Sequence, residues 1–266
     1  EEAAGACEHF DAVIVPGGFG SRGTEAKIAC VRHCRETGLP YLGICLGFQM
    51  AVVEFARHVC GIANAASGEF APESGSNVID ILPEQKKIEG LGGNMRLGGK
   101  DVRIEAGTLA AFLFAGESGQ GPGARGQGRE AAAERSEAGD QAPSGAFNIR
   151  ARFRHRFEVD PAYIDTLERH GLVFSGKHPE QPIMQVLELP RAVHPYFIGA
   201  QFHPELTSRP LRPQPMFLGL VAAAIRHAHP DLQPDDPAAR WLRPEPEPAA
   251  PGAPGVAGVA ASAAHV

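Results

Sequence analysis

The segment Leu42-Gly-Ile-Cys-Leu-Gly47 lies between a short apolar run and a longer run with helical spacing. The apolar run Tyr41–Ile44 predicts a strand, and the run Leu46–Val59 predicts a helix that ends near a glycine. A strand that turns directly into a helix leaves little room for side chains, so glycines on both sides of Cys45 fit a tight turn. Such a turn directs the thiol outward, which makes Cys45 a candidate nucleophile.

The same succession of a predicted strand and a predicted helix occurs upstream of this segment. The apolar run Asp11–Val15 is closed by Pro16-Gly-Gly18, which predicts a buried strand and a tight loop. Glu25–Thr37 has apolar residues at helical spacing and is followed by glycine and proline, which end helices. Strand, helix, strand, helix in succession predicts an α/β fold with a mostly parallel sheet and helices on both faces. Sites in such sheets form at the carboxyl ends of strands, where Cys45 falls.

Composition divides the rest of the chain. Residues 9–226 are patterned and predict one domain, interrupted at residues 115–146 by a Gly-, Ala- and Gln-rich segment that predicts a disordered insertion. Residues 227–266 are rich in Pro and Ala and predict a disordered tail. Further elements are predicted as helices at 106–114, 163–170 and 216–227 and as strands at 181–189 and 196–202.

The overall composition narrows the classes of partner. The 266 residues carry a formal charge of −6, which argues against nucleic acid or an anionic membrane as the main partner. No apolar run approaches the roughly 18–20 residues of a spanning helix. Five cysteines in no regular spacing favour a reducing, cytoplasmic compartment over a disulfide framework. Cys30, His33 and Cys34 share a helical face but lack a fourth ligand, so no metal site is predicted.

Two other segments strengthen the interpretation of Cys45. In Gln201-Phe-His-Pro-Glu205, residues two apart point to one side of an extended chain, so Glu205 can orient the imidazole of His203. The loop Pro16-Gly-Gly-Phe-Gly20 lets backbone amides approach a developing negative charge. Taken singly, these features also fit a structural cysteine, a solvent-facing His–Glu pair and a plain turn. No GxxxxGK[ST] motif occurs, so ATP binding by this chain is unsupported.

Together the three segments resemble the class I glutamine amidotransferase family. The resemblance narrows to the glutaminase domain of CTP synthases and covers residues 9–226 apart from the insertion. It is carried by Pro40–Arg57, Pro16–Gly23, Met95-Arg-Leu-Gly98, Arg154-His-Arg-Phe-Glu158, Gln201–Glu205 and Ser208-Arg-Pro210. The Met-Arg-Leu-Gly and Arg-His-Arg segments are the more specific, because many amidotransferases share the cysteine turn and the His-Pro-Glu.

The resemblance implies roles for the matching positions. Cys45 would attack the side-chain amide of L-glutamine, His203 would move protons and Glu205 would orient His203. Matching the donors to the oxyanion are Gly18 and Leu46, and matching the residues that hold glutamine are Gln49, Glu69 and Arg156. A zwitterionic amino acid does need a carboxylate for its ammonium and a cation for its carboxylate. From the residues alone, Glu69 would be a loop residue and Arg156 part of a solvated basic run.

The resemblance also implies partners. ATP, Mg²⁺ and UTP would bind an amidoligase domain that this sequence does not contain, so no cofactor is expected here. GTP would be a possible activator, and the family forms homotetramers. We expect the first strand and helix of the glutaminase domain to be missing and the isolated chain to be poorly stable, because an exposed sheet edge would result.

The family pattern is not matched everywhere. The loop before Glu69 is altered at residues 66–68, Phe153 replaces a histidine, and Gln185 replaces the glutamate of the usual Met-Glu-Ile pattern. None of these changes removes a catalytic group. Two alternatives stay open: the glutaminase domain of another class I amidotransferase, and a non-catalytic interaction domain that keeps the fold.

Overall fold

The computed structural model describes residues 5–82, 95–115 and 145–232. Nearly all of the insertion predicted at 115–146 lies outside these ranges, as does most of the tail predicted at 227–266. Both therefore stay predictions. The described residues form two sheets and five α-helices, with two short 3₁₀ turns at Ala6–His9 and Pro204–Leu206.

The strands and helices are numbered in chain order. Strands β1 to β10 are Val13–Val15, Tyr41–Ile44, Ala66–Ser67, Asn77–Asp80, Arg96–Ile104, Phe147–His155, Glu158–Val159, Val173–Lys177, Met184–Glu188 and Phe197–Ala200. Helices α1 to α5 are Thr24–Thr37, Leu46–His58, Leu109–Phe114, Pro161–Arg169 and Pro215–Ala228. Strand β2 has the predicted bounds, and α1 and α2 differ from their predictions by one residue. The later elements begin or end within a few residues of those expected.

The larger sheet has the strand order β1-β2-β10-β9-β8-β5-β6. Only β1, β2 and β10 run parallel to one another, whereas every following pair is antiparallel. A smaller sheet has the order β3-β4-β7. The α/β class is confirmed, but the prediction of a mostly parallel sheet is wrong for the described part of the chain.

The antiparallel half has a simple cause. Strands β8, β9 and β10 are joined by residues 178–183 and 189–196, which are too short for a parallel crossover of about a dozen or more residues. The strand–helix repeat from which a parallel sheet was predicted therefore extends only over β1, α1, β2 and α2. Strand β1 lies at the edge of the sheet, and its Ile14 is exposed.

Helices pack on both faces of the large sheet, as predicted. Alternate residues of β10 enter two different cores, because successive strand side chains point to opposite faces: Phe197 belongs to one core and Ile198 to the other. The first core contains apolar residues of α1, α2 and α4. The second contains residues of α3 and α5. Buried apolar surface on both sides fixes β2 and β10 at the centre of the molecule.

From the residues alone Arg156 is predicted to belong to a solvated basic run, but most of the run Arg150–Arg156 is strand β6. Ile149, Ala151 and Phe153 are buried in the second core while the arginines between them are exposed. The run is thus a half-buried strand with period-two alternation. Strand β6 pairs along its whole length with β5, which begins in the Met95–Gly98 segment.

An ion pair joins α1 to α2 beneath the first core. The carboxylate of Glu54 is fully buried and accepts three hydrogen bonds from Arg35, at 2.9 Å and 3.2 Å from Nε and at 2.8 Å from the terminal nitrogen. His58 Nδ1 lies 3.3 Å from the same carboxylate.

Replacing Arg35 with alanine is expected to lower the free energy of unfolding by about 3 kcal/mol, because it leaves a buried carboxylate without its main partner. Urea denaturation measures the change. Arg32→Ala is the matched control, since Arg32 sits on the same helix and pairs with Glu36 in the open. Its loss should be below about 0.5 kcal/mol. Equal losses in the two variants would contradict a structural role for the buried pair.

Candidate active site

Cys45 occupies the turn between β2 and α2 in a backbone conformation that residues other than glycine rarely adopt. Its φ is 51° and its ψ is −96°, and it has the only positive φ among the described non-glycine residues. Glycine is needed on both sides of Cys45, because neither position has room for a side chain. A Cβ on Gly43 would lie 2.7 Å from the carbonyl carbon of Gly47, and one on Gly47 would lie 2.1 Å from the carbonyl oxygen of Val15. The tight turn predicted from the sequence is confirmed.

The order of the central strands brings His203 to the same edge as Cys45. Strand β10 lies beside β2, and the pairing continues past the strand, since the Cys45 amide donates to the Ala200 carbonyl at 2.7 Å. His203 follows three residues later. Both residues contact the glycine loop, because a Cβ on Gly17 would lie 2.9 Å from His203 Cε1 and 3.5 Å from Cys45 Cβ.

The imidazole of His203 is held by the carboxylate predicted to orient it. Its Nδ1 lies 2.6 Å from Glu205 Oε1. The other ring nitrogen, Nε2, is buried and has no hydrogen-bond partner within the described part of the chain. With Nδ1 engaged as a donor to the carboxylate, Nε2 is the nitrogen left to accept a proton.

Electrostatics keep the thiol neutral. Burial raises the pKa of Cys45 to about 12 and outweighs the Leu46 amide, which lowers it. Nearby carboxylates raise the pKa further: Glu205, Glu69 and Glu158. Backbone amides at the start of a helix favour thiolate over thiol. That amide effect is present, but the exclusion of water from Cys45, which is 3% exposed, is larger.

Alkylation of Cys45 by iodoacetamide is therefore expected to be slow at neutral pH. Because the thiolate is the reactive form, the rate should rise about tenfold per pH unit between pH 7 and 9 without reaching a plateau. Peptide mass spectrometry can follow Cys45 separately from the half-buried Cys60, whose pKa burial raises to about 11. A plateau near neutral pH would show that Cys45 is already ionised.

The two residues matched to oxyanion donors lie against each other at the turn of Cys45. The Leu46 amide donates toward Cys45, which is how it lowers the pKa of the thiol. The backbone of Gly18 lies against Leu46, since a Cβ on Gly18 would be 3.2 Å from Leu46 Cδ2. The two amides that the sequence singled out thus belong to adjacent segments at the carboxyl ends of β1 and β2.

The residues matched to glutamine binding are placed less uniformly. Glu69 accepts a hydrogen bond from the Gly20 amide at 3.0 Å, so its carboxylate lies against the glycine loop. Gln49 is buried and donates to the Phe157 carbonyl at 3.0 Å. Arg156, the neighbour of Phe157, is exposed just past the end of β6. Glu69 thus lies at the glycine loop, and Arg156 is next in sequence to the residue that Gln49 contacts.

Sequence reasoning missed three groups at this site. Gln201 is fully buried, donates through Nε2 to the Cys45 sulfur at 3.6 Å and accepts from Gln49 at 3.2 Å. Glu158 is fully buried between Arg96, at 2.6 Å, and His155, at 2.8 Å. Gly17 contacts the nucleophile and the histidine. Gln201 is the first residue of the Gln201–Glu205 segment, but its role depends on the pairing of β2 with β10, which no local pattern contains.

Among the described residues no group of three or more potential metal ligands occurs, and Cys34 of the cysteine–histidine face is buried in the first core. None of the helices in the described ranges has the length and apolar character that crossing a bilayer requires.

Comparison with known proteins decides the family. The profile of the family described as Glutamine amidotransferase class-I matches residues 1–223. The chain belongs to the class I glutamine amidotransferase family. This amidotransferase is 48% identical over 223 residues to the CTP synthase of Natronomonas pharaonis. The match covers 84% of this chain and 34% of that protein. The chain is 44% identical over 216 residues to the CTP synthase of Geobacillus kaustophilus, covering 81% of this chain and 35% of that protein.

A solved structure agrees with this assignment. The glutaminase domain of the Trypanosoma brucei CTP synthase, determined with bound acivicin, is 31% identical to this amidotransferase with a TM-score of 0.67. The match covers 85% of this chain and 75% of that one. The resemblance to the glutaminase domain of CTP synthases is confirmed. The chain spans about a third of the length of the curated relatives it matches.

Proposed function

We propose that this amidotransferase domain hydrolyses L-glutamine with Cys45 as nucleophile and supplies the ammonia to a CTP synthase reaction. The observation that carries the proposal is the arrangement around Gly17. A Cβ on Gly17 would lie within 3.5 Å of both Cys45 and His203, so the two side chains meet at one face of this glycine, and the histidine is oriented by Glu205 at 2.6 Å. A nucleophile, a base and a group that orients the base are the minimum for covalent acyl transfer.

The neutral thiol sets the first step. Since burial keeps Cys45 protonated, its proton must pass to His203 Nε2 as the sulfur forms a bond to the amide carbon of glutamine. The carbonyl oxygen then carries a negative charge, which the amides of Leu46 and Gly18 stabilise. When the carbon–nitrogen bond breaks, the histidine returns the proton to the departing ammonia.

The second half of the reaction regenerates the enzyme. Water attacks the γ-glutamyl thioester and gives its proton to His203. Collapse of the adduct breaks the carbon–sulfur bond, and the sulfur takes the proton back as glutamate forms. In this scheme the ammonium group of glutamine would pair with Glu69, and Arg156 would face the α-carboxylate. Gln49 would contact the substrate, and its bond to Gln201 would connect substrate binding to the sulfur.

The relatives support a proposal for the destination of the ammonia. Proteins named CTP synthase are about three times longer than the matched region. We propose that an amidoligase domain receives the ammonia, with ATP, Mg²⁺ and UTP bound on that domain and none of them on this one. GTP activation and a homotetramer belong to the same proposal, as does a cytoplasmic location.

The test is trapping with a glutamine-like diazo ketone, followed by peptide mass spectrometry. We expect one label per chain, on Cys45, together with loss of glutamine hydrolysis, and no label on Cys45→Ala. Labelling elsewhere, or none in a folded sample, would overturn the glutaminase assignment. Ammonia transfer to UTP is tested separately by adding an amidoligase domain of a CTP synthase. Glutamine hydrolysis without transfer would favour another class I amidotransferase.

A further inference from the structure

A line of hydrogen bonds runs from the sulfur of Cys45 into the interior of the domain. Gln201 Nε2 donates to Cys45 Sγ at 3.6 Å, and Gln201 Oε1 accepts from Gln49 Nε2 at 3.2 Å. The same nitrogen of Gln49 donates to the carbonyl of Phe157 at 3.0 Å. Both glutamines are buried, with 0% of Gln201 and 3% of Gln49 exposed. The line therefore connects the sulfur to the backbone between β6 and β7.

The Phe157 carbonyl decides which way each side-chain amide in this line faces. A carbonyl oxygen only accepts hydrogen bonds, so Gln49 must turn its NH₂ group, and not its oxygen, toward Phe157. The second N–H of that group points at Gln201, which must present its oxygen. Gln201 consequently turns its own NH₂ group toward Cys45. If the Gln201 amide were turned over, two NH₂ groups would face each other in the interior, where an unmade hydrogen bond is costly.

Backbone contacts hold both ends of the line in place. Gln201 directly follows β10, and its backbone amide donates to the Gln185 carbonyl on β9 at 2.9 Å. Phe157 directly precedes Glu158, which belongs to β7 of the smaller sheet and whose buried carboxylate lies 2.6 Å from Arg96 Nε. The two sheets therefore fix the positions from which the side chains of the line extend.

The sulfur of Cys45 needs hydrogen-bond donors when it loses its proton. Burial and three nearby carboxylates raise the pKa of Cys45, whereas the Leu46 amide lowers it. Gln201 adds a further donor, which reaches the sulfur from the neighbouring strand. A hydrogen bond becomes shorter and stronger when its acceptor is charged, so this N–H stabilises the thiolate more than the thiol. A contact that strengthens as charge develops accelerates the step in which the charge appears.

We propose that Gln201 is a further catalytic residue, whose Nε2–H holds the Cys45 sulfur and stabilises the thiolate formed when the proton passes to His203 Nε2. Gln49 fixes the direction of that N–H. The catalytic consequence rests on the proposed function, because it presupposes that the sulfur attacks glutamine. The contact itself exists without substrate, so it can be tested separately from turnover.

The test is the alkylation of Cys45 by iodoacetamide in the full chain without glutamine, followed by peptide mass spectrometry between pH 7 and 9. Gln201→Met keeps the approximate size of the side chain and removes the N–H, so less thiolate forms at each pH. We expect the rate for Cys45 to fall about tenfold, the order expected for loss of a hydrogen bond to a charged group. Cys60, beyond the end of α2, should keep its rate and reports that the fold is intact.

Gln185→Met is the matched control. Gln185 is fully buried like Gln201 and lies opposite it on β9, but its side-chain amide has no hydrogen-bond partner among the described residues. Its replacement should leave the alkylation of Cys45 within about twofold of the original. If Gln201→Met does not fold, Gln201→Asn takes its place. Asparagine keeps a buried amide that is one methylene too short to contact both Gln49 and the sulfur, so the rate should again fall.

Glutamine turnover gives a second measurement. In Gln201→Met, kcat should fall about tenfold while KM for glutamine stays within about twofold, because Gln201 contacts the sulfur and its contribution grows only as charge develops there. Gln185→Met should change neither constant by more than about twofold.

Three results would overturn the role of Gln201. One is an equal rate of Cys45 alkylation in Gln201→Met and Gln185→Met. Another is faster alkylation in Gln201→Met, which would show that Gln201 shields the sulfur and does not stabilise the thiolate. The third is a raised KM with an unchanged kcat, which would make Gln201 a substrate contact only. The alkylation results need no turnover, so they leave the proposed function standing and hold even if the chain hydrolyses no glutamine.

Discussion

Replacing Cys45 with alanine is expected to lower the rate of glutamine hydrolysis by at least ~10⁴-fold. Covalent catalysis loses its nucleophile, and His203 and Glu205 cannot cleave the amide bond without it. The turn itself should persist. Alanine is smaller than cysteine and can take the same place between Gly43 and Gly47, although the positive φ stays unfavourable. Ammonia release, measured by a coupled assay at saturating glutamine, gives the rate.

The control for this variant is Cys60→Ala. Cys60 is half-buried beyond the end of α2, and its sulfur lies 4.0 Å from the Thr166 carbonyl. It belongs to no part of the proposed site, so its removal should leave the rate within about twofold of the original. A Cys45→Ala protein that keeps more than a hundredth of the activity would mean that water attacks glutamine directly, and the covalent scheme would then be wrong.

Replacing Gly47 with alanine is expected to lower the free energy of unfolding by about 3 kcal/mol or more. In an ordinary helix the same change stabilises by roughly 1 kcal/mol, so the sign is the informative result. Here the new Cβ would lie 2.1 Å from the carbonyl oxygen of Val15. That oxygen belongs to the backbone of β1, which no rotamer change can move, so strand and helix must separate.

Urea denaturation measures this loss, with Gly145→Ala as the matched control. A Cβ on Gly145 meets no atom within 4 Å and Gly145 has no positive φ, so its unfolding free energy should change by less than about 0.5 kcal/mol. If Gly47→Ala proves as stable as the control, the close approach of α2 to β1 is not present in solution.

The turn at Cys45 could be predicted because its cause is local. A strand followed at once by a helix cannot accommodate side chains at its flanks, and Gly43 and Gly47 record that restriction in the sequence. The His203–Glu205 pair was predictable for the same reason, since two residues in an extended segment share a face whatever the rest of the chain does.

The partners of strands could not be predicted in this way. Residues 147–155 carry arginine at alternate positions, and the residues between the arginines are buried. This period of two indicates a strand, but it does not indicate which strand is its partner. The antiparallel half of the sheet needed a further fact, which is that short connections join β8, β9 and β10. Gln201 became a site residue only once β10 lay beside β2, because that contact joins distant parts of the chain.

The pairing of β2 with β10 has a consequence for the order of events during folding. The nucleophile and its base follow two strands, β2 and β10, that are adjacent in the sheet but separated by more than half of the chain. Contacts between such distant segments carry a high entropic cost of loop closure and form slowly. A chain emerging from the ribosome therefore cannot assemble this site until its last central strand has been synthesised, and partly folded forms hold Cys45 without the histidine that would deprotonate it.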